Sequence, residues 1–328
     1  MERFQVSGPV VCVGDMTPDI VIPYGETLRA ISRLEEGEVV LSNPYLRPGG
    51  AVSNTVATLG KLGLSPIMVG GVGSDEYGDY LVDYLRACGV RTEHIFRQPE
   101  RSSIILAVLD GAGERVLYLF NGPGAKLPEL GKDQVPRDLI GAAGWFHTNG
   151  FANDVTVDFM ERCRELGAVV SFDLNLRCET FGLDEARKAR ILRAVRASHV
   201  VFGSGAEEFL PLTGAHTLAE GARALAGAGR VVVARDGAAP VRVFDGSETW
   251  QVPVEPVEAV NKVGGGDAFN GGFIAACALG RTVREGVLWG CRCAASAISS
   301  QQPHHVPPRD EVDRWAADRA LAMDGHPV

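Results

Sequence analysis

Short apolar runs recur along the chain, each closed by glycine or a polar residue and followed by a stretch of helical spacing. Residues 9–14 (P-V-V-C-V-G) are continuously apolar, which predicts a strand buried on both faces of a parallel sheet. Similar runs at 65–72, 143–149, 168–173, 199–203 and 230–234 predict further strands. Between them, helices are predicted from 51 to about 62, closed by Gly63, and at 79–88, 155–166 and 183–195. Residues 252–260 form a β-like apolar run interrupted by prolines, followed by a helix that opens on three glycines and runs to about Leu279, with Gly280 at its C-cap. Another helix spans 285–300, and 314–328 reads as a peripheral helix with a frayed tail. This alternation predicts an α/β fold with a doubly wound, mostly parallel sheet, in a single domain over 1–328. Two segments break the rhythm. Residues 19–48 hold apolar pieces at 20–23 and 39–41 separated by polar residues, with a candidate helix around 27–34. Residues 102–120 alternate around a hairpin-like turn, Asp110-Gly111-Ala112-Gly113. Both belong to one small accessory β layer, built from insertions at about 16–48 and 99–122.

Length and composition narrow the class. The 328 residues, 45% hydrophobic, are ample for a large buried core. Acidic residues outnumber basic ones 41 to 32, giving −9, and no basic cluster appears, which argues against nucleic acid as a partner. The seven cysteines are odd in number, and Cys291-Arg292-Cys293 lacks the C-x-x-C zinc spacing. They read as reduced, buried thiols of a cytoplasmic protein. No basic segment followed by an apolar one opens the chain, and no apolar run approaches the ~18–20 residues of a membrane span.

Candidate chemistry concentrates at helix starts near predicted strand ends. Residues 261–273 read N-K-V-G-G-G-D-A-F-N-G-G-F. Gly264, Gly265 and Gly266 let the backbone turn N–H groups outward at a helix N-terminus, an anion site suited to phosphate. Asp267 stands beside it. An acid there repels phosphates unless it orients a hydroxyl for attack on a phosphoryl group, although Asp is also a favoured helix-start residue. Gly49 and Gly50 precede a second helix and permit close backbone approach to a ligand. Asn54, on its first turn, can donate to and accept from a sugar hydroxyl, or simply cap. Asp15 follows the first strand at the end where open α/β sheets bind ligands, and serves equally as a turn cap. A Walker A motif is absent. Gly71 and Gly73 are followed by Glu76 rather than a third glycine, and Gly14-Asp15-Met16-Thr17 carries no fingerprint, which argues against a nicotinamide-dependent oxidoreductase. His147 has no nucleophile pattern with it and reads as structural or at the substrate's edge. His304 and His305 lack spaced metal-ligating partners.

The stretch 261–273 resembles the C-terminal signature of the ribokinase (PfkB) family of carbohydrate kinases, D-T-x-G-A-G-D-x-F. Gly264, Gly266, Asp267 and Phe269 match, and Asn261 and Lys262 replace Asp-Thr. Gly49, Gly50 and Asn54 match the N-terminal signature G-G-x-x-x-N, in the expected order. Gly73, Asp75 and Gly78 match G-x-D-x-x-G, and 173–177 match D-x-N-x-R. Glu208 falls on the Glu of N-x-x-E, with Gly205 in place of Asn. Arg235-Asp236-Gly237 stands where Thr/Lys-x-G is usual, and Pro303-His304 replaces Pro-Gly. The resemblance runs from Asp15 to about Pro303.

That resemblance implies a ribokinase-like fold and transfer of the ATP γ-phosphoryl group to an alcohol of a sugar or sugar acid. Asp267 would orient the hydroxyl and accept its proton, and Gly264–Gly266 would stabilise developing charge. Its place at a helix N-terminus leads one to expect an ionised, weakly basic Asp267. Asp15, Gly49, Gly50 and Asn54 would bind substrate. Arg235, Gly237, Gly205 and Cys293, the last on the helix flanking adenine, would contact the nucleotide. Glu208 would join the magnesium network through water, near Asp173, Asn175 and Arg177. The accessory β layer would be a lid over the substrate and a homodimer interface, with Arg115, Tyr118 and Asn121 as contacts by position. The implied cofactors are ATP and Mg2+. Asn261 replaces an Asp tied to a monovalent-cation site in some relatives, which implies weaker dependence on potassium. The motif variants look most like fructokinase or 2-keto-3-deoxygluconate kinase. A nucleoside kinase is the second reading. A non-catalytic ligand-binding protein is the third: the departures at Gly205, Asn261 and His304 favour it, and intact Asp267 with its glycines opposes it.

Overall fold

Valine-rich runs with no polar face can be satisfied only by burial on both sides, and they form the middle of a nine-stranded sheet. In the computed structural model, residues 3–23, 44–109, 115–120, 125–126, 129–227, 229–260 and 263–324 are described. The strand order is Thr249–Val252, Val241–Phe244, Val231–Arg235, Val200–Ser204, Val169–Asp173, Trp145–Asn149, Val10–Val13, Ile67–Gly73 and Arg91–Gln98. Val241–Phe244 pairs antiparallel with both of its neighbours, and the other pairings are parallel. One core lies beneath the helices Ala51–Lys61, Glu76–Ala87, Gly265–Ala278, Val283–Ile298 and Arg309–Asp324. The second lies on the opposite face, beneath Asp154–Glu165, Glu185–Ala197, Ala206–Thr213 and Leu218–Leu225. This is the doubly wound α/β architecture that the alternation of runs predicts.

Differences from the expected elements have local causes. The run at 252–260 supplies only the end of a strand, because Pro253 and Pro256 cannot donate to a ladder. The strand Arg91–Gln98 has no apolar run to announce it: it is a half-exposed edge strand of mixed polarity. The helix Glu76–Ala87 starts earlier than expected because Asp75 caps it, accepting from Gly78 N at 2.9 Å.

A separate four-stranded sheet orders Tyr45–Gly49, Thr17–Pro23, Ile104–Leu109 and Arg115–Phe120. It joins the two expected insertions. Leu46, Ile20, Leu106 and Tyr118 align across it in register. Asp19 pairs with Arg47 and Ile105, one residue out of step, so these point to the opposite face. The candidate helix at 27–34, the turn at 110–113, Asn121, Asn261 and Lys262 lie outside the described residues, and so does the side chain of Arg115.

Candidate active site

Parallel strands end on the same side, so the topology gathers Asp15, Asn149, Asp173, Ser204 and Arg235 at one edge of the sheet. The helices Ala51–Lys61 and Gly265–Ala278 begin at this edge. Asp15 closes the first of them: its carboxylate accepts from Ala51 N at 2.7 Å, Val52 N at 3.3 Å and Asn149 Nδ2 at 2.9 Å. A cap and a cluster of strand-end polar groups thus meet in one carboxylate.

The glycines have specific work to do. Gly50 has φ +95°, and a Cβ on it would lie 2.6 Å from Asp15 O. A Cβ on Gly49 would lie 2.4 Å from Asp19 Oδ1. Both close approaches are to the protein itself. Gly264 takes φ +82° and leads into the signature helix. Gly265 packs on Ile298 and Gly266 on the Arg235 guanidinium, at 2.7 and 3.1 Å from their would-be Cβ atoms.

Asp267 sits on the first turn of that helix with partial solvent access. Asn54 Nδ2 donates to its Oδ2 at 2.7 Å, and Thr55 Oγ1 donates to its backbone carbonyl at 3.2 Å. Burial, with the Asp173 and Asp15 charges, pushes the Asp267 carboxyl up to about 7, against the lowering by the Asn54 N–H and by Arg177. The expectation of a weak, fully ionised base is thereby corrected: the surroundings outweigh the helix N-terminus. The Asp19 carboxyl is also raised by burial to about 7, with Thr17, Arg47 and Arg177 acting to lower it. Arg47 is buried and its Nη1 has no hydrogen-bond partner. Among the described residues neither Arg47 nor exposed Arg177 forms an ion pair within 4.0 Å.

Asn54 is less available than its position suggested. Its Oδ1 is taken by His304 Nε2 at 2.5 Å, and His304 Nδ1 meets Tyr84 Oη at 2.9 Å. The amide keeps one N–H for a ligand and lacks the free acceptor expected of it. His304 is therefore buried and engaged at both nitrogens, whereas His305 is exposed.

The nucleotide-side expectations need two corrections. Arg235 is buried: it donates to Asp173 Oδ2 at 3.1 Å, to Gly266 O at 2.6 Å and to Asn270 Oδ1 at 3.0 Å. Asn270 Nδ2 also donates to Asp173 Oδ2. The guanidinium braces the signature helix from beneath instead of presenting a cation to a cleft. Cys293 is fully buried, its sulfur 2.9 Å from where a Cβ on Gly272 would stand, so it packs two helices together and has no surface to offer adenine. Gly237, at φ +55°, faces open space, as a phosphate-contacting turn would. Gly205, at φ +70°, donates its N–H to Arg235 O, and Glu207 folds over it. The Glu208 carboxyl is pushed up by burial and by Asp173 and Glu207, against Ser204 N–H and Arg235. Among the described residues no three His, Cys, Asp or Glu side chains gather closely enough to hold a metal ion by themselves, which leaves Glu208 a contact to magnesium through water, a mode that ion commonly uses. His147 is buried against Ser171 Oγ at 2.9 Å and held down to about 4, chiefly by burial, as a structural histidine.

Sequence reasoning missed Tyr84, Asp19, Asn149 and Asn270. Asn149 ends a strand at the ligand edge, and Asn270 lies one helical turn beyond Asp267; these positions were the available signals. Tyr84 and Asp19 gave none. A cavity of about 360 Å3 adjoins Asp15 and is lined by Thr148, Phe151, Asn153, Arg187 and Arg190, but not by Asp267.

Comparison with known proteins decides the family. The model of the pfkB family of carbohydrate kinases matches residues 10–309. The chain belongs to that family. Membership carries the activity class, a carbohydrate kinase. A fructokinase from Vibrio alginolyticus is 28% identical over 273 residues, covering 77% of this chain and 86% of the relative. A putative ribokinase II from E. coli in complex with ATP and Mg2+ superposes with a TM-score of 0.80 at 22% identity, covering 95% of this chain and 100% of that one. Fructokinase with bound ATP from Xylella fastidiosa gives 0.77 at 23% identity, covering 95% and 99%. The seven cysteines are free and six of them are buried. No helix among the described residues is long and apolar enough to cross a membrane.

Proposed function

We propose that the protein transfers the γ-phosphoryl group of Mg-ATP to a hydroxyl of a sugar or sugar acid, with Asp267 accepting the hydroxyl proton. The observation that carries this reading is the carboxylate itself. Asp267 lies on the first turn of its helix, is held by Asn54 at 2.7 Å, and is raised to about 7, where a general base is most effective. Phosphoryl transfer asks mainly for positioning and charge stabilisation. The N–H groups of Gly264–Gly266 would donate to the transferred oxygens, and Arg177 adds positive charge at the mouth. Asp15, the Gly49-Gly50 turn and the remaining Asn54 N–H would hold the substrate. Gly237 and Gly205 would line the nucleotide side, and Glu208 would meet a magnesium ion through water. Bound there, Mg-ATP supplies the transferable group and the metal charge that offsets its phosphates.

The relatives named fructokinase support a ketose substrate. Arg47 and Arg177 support a sugar acid instead, being cations without an ion-pair partner among the described residues, close to Asp19 and Asp267. The four-stranded sheet would be the lid of a single-domain kinase, its Asp19–Arg47 face turned to the substrate. Its other face carries exposed Leu46, Tyr118 and Phe120, which supports a homodimer through the lid. Free thiols support a cytoplasmic location.

An assay of ADP release from Mg-ATP across ketoses, aldoses, keto-deoxy acids and nucleosides, with Asp267→Ala alongside, tests the proposal. Turnover on one class, lost by ~10³-fold or more in the variant, is expected. Turnover that survives in Asp267→Ala removes Asp267 from the chemistry.

A further inference from the structure

A chain of hydrogen bonds reaches Asp267 from behind. Tyr84, on the helix Glu76–Ala87, meets His304 Nδ1 at 2.9 Å; His304 Nε2 meets Asn54 Oδ1 at 2.5 Å; Asn54 Nδ2 meets Asp267 Oδ2 at 2.7 Å. We propose that Tyr84 and His304 are positioning residues for phosphoryl transfer, which act through Asn54 to keep an amide N–H, and not its oxygen, aimed at Asp267. The proposal rests on the reading of Asp267 as the base.

The direction of each bond follows from the one before. An ionised carboxylate only accepts, so Asn54 must turn its NH2 to Asp267. Its oxygen then faces His304 and needs a donor, which requires the proton on Nε2. Nδ1 is left as an acceptor, and the single Tyr84 hydroxyl proton, which also has Pro303 O within 3.2 Å, turns to the nearer Nδ1 at 2.9 Å. Reverse any one assignment and two lone pairs meet. The imidazole works as a neutral donor of fixed tautomer: burial, with Lys61 and Arg47, holds His304 down to about 3. It does not shuttle protons.

Two further observations show that the position is built. His304 sits at φ +48°, a left-handed conformation that strains a non-glycine residue. A histidine is kept where glycine would be free of strain. Lys61 Nζ, at the end of the helix that carries Asn54, donates to Pro303 O at 3.1 Å and His304 O at 2.9 Å and clamps the loop. The groups facing Asp267 are Asn54, Asp173, Asp15 and Arg177. Those facing His304 are Tyr84, Asn54, Lys61 and Arg47.

The test compares the full-length enzyme with His304→Gly, His304→Gln, Tyr84→Phe and Asp267→Ala, measuring kcat and both KM values from pH 5.5 to 9 and the melting temperature of each. His304→Gly relieves the left-handed backbone and should fold. Its expected result is a kcat about tenfold lower at pH 7, with the acid limb about one pH unit higher and KM for ATP unchanged, because Asn54, with nothing behind it, no longer holds its N–H fixed against the carboxylate that this bond keeps low. His304→Gln restores an N–H toward Asn54 Oδ1 and is expected to recover most of the loss. Tyr84→Phe is expected to give a smaller shift of the same sign. A His304→Gly enzyme with wild-type kcat and acid limb overturns the proposal. So does a Gln variant no better than Gly at equal melting temperature. If Asp267→Ala keeps turnover, the underlying assignment of the base has failed; if it is inactive while His304→Gly is unimpaired, only the positioning role has failed.

Discussion

Replacing Arg235 by methionine separates a nucleotide contact from an internal brace. The guanidinium is 3.1 Å from Asp173, its carbon is 5.3 Å from the Phe269 ring centroid and 5.9 Å from that of Phe202, and both ionic partners are about nine-tenths buried. Methionine keeps most of the packing over the two rings and removes the charge. Asp173 is then buried without its cation, beside Glu208, and removal of one partner of a buried pair costs ~3–5 kcal/mol. At ~2–4 °C per kcal/mol, the melting temperature of Arg235→Met should fall by ~6–20 °C. Asp173→Asn should cost less, since the neutral amide still accepts from Arg235. The double variant should lose less than the sum of the singles, because it leaves no buried carboxylate unpaired. Urea unfolding of the four proteins, compared at equal m-values, gives the coupling directly. If Arg235→Met loses under ~1 kcal/mol and instead raises KM for ATP, the guanidinium serves the nucleotide and the brace is refuted.

The acid limb of kcat/KM for the sugar should fall near pH 7, with the rate rising through it because the ionised Asp267 is the active form. A rate flat from pH 5.5 to 8 contradicts this. Serine at both Tyr118 and Phe120 removes two exposed aromatic groups from the outer face of the four-stranded sheet and should dissociate the proposed dimer by sedimentation velocity; an assembly state identical to that of the wild type refutes an interface there. Burial holds His147 down to about 4 and His304 down to about 3 in the folded protein, below the unfolded value of ~6.5, so the unfolded chain binds more protons in that interval. Stability present above pH 6.5 should therefore decline as the pH falls toward 4. His147→Gln should flatten that decline by up to about 1.4 kcal/mol per pH unit, and an unchanged slope denies the burial of a neutral imidazole.

The readable parts of this chain are those that the local backbone dictates. The strands 10–13 and 169–173 are runs that only a doubly covered sheet accepts, and glycines at 50 and 264 announce left-handed turns before helices. Side-chain direction was beyond reach. Arg235 and Cys293 occupy the expected positions at a strand end and on a helix, yet both turn inward, because partners from distant segments, Asp173 and Gly272, take them up. Asp267 shows why the chemistry followed the same division. A helix N-terminus favours a carboxylate by ~0.3–1 kcal/mol, less than one pKa unit. The displacement from 3.8 to about 7 is several times larger and runs the other way. It comes from burial and from Asp15 and Asp173, with Asn54 pulling against it across 213 residues of sequence. Position on the helix tells where the carboxylate stands; only the fold supplies the neighbours that raise it.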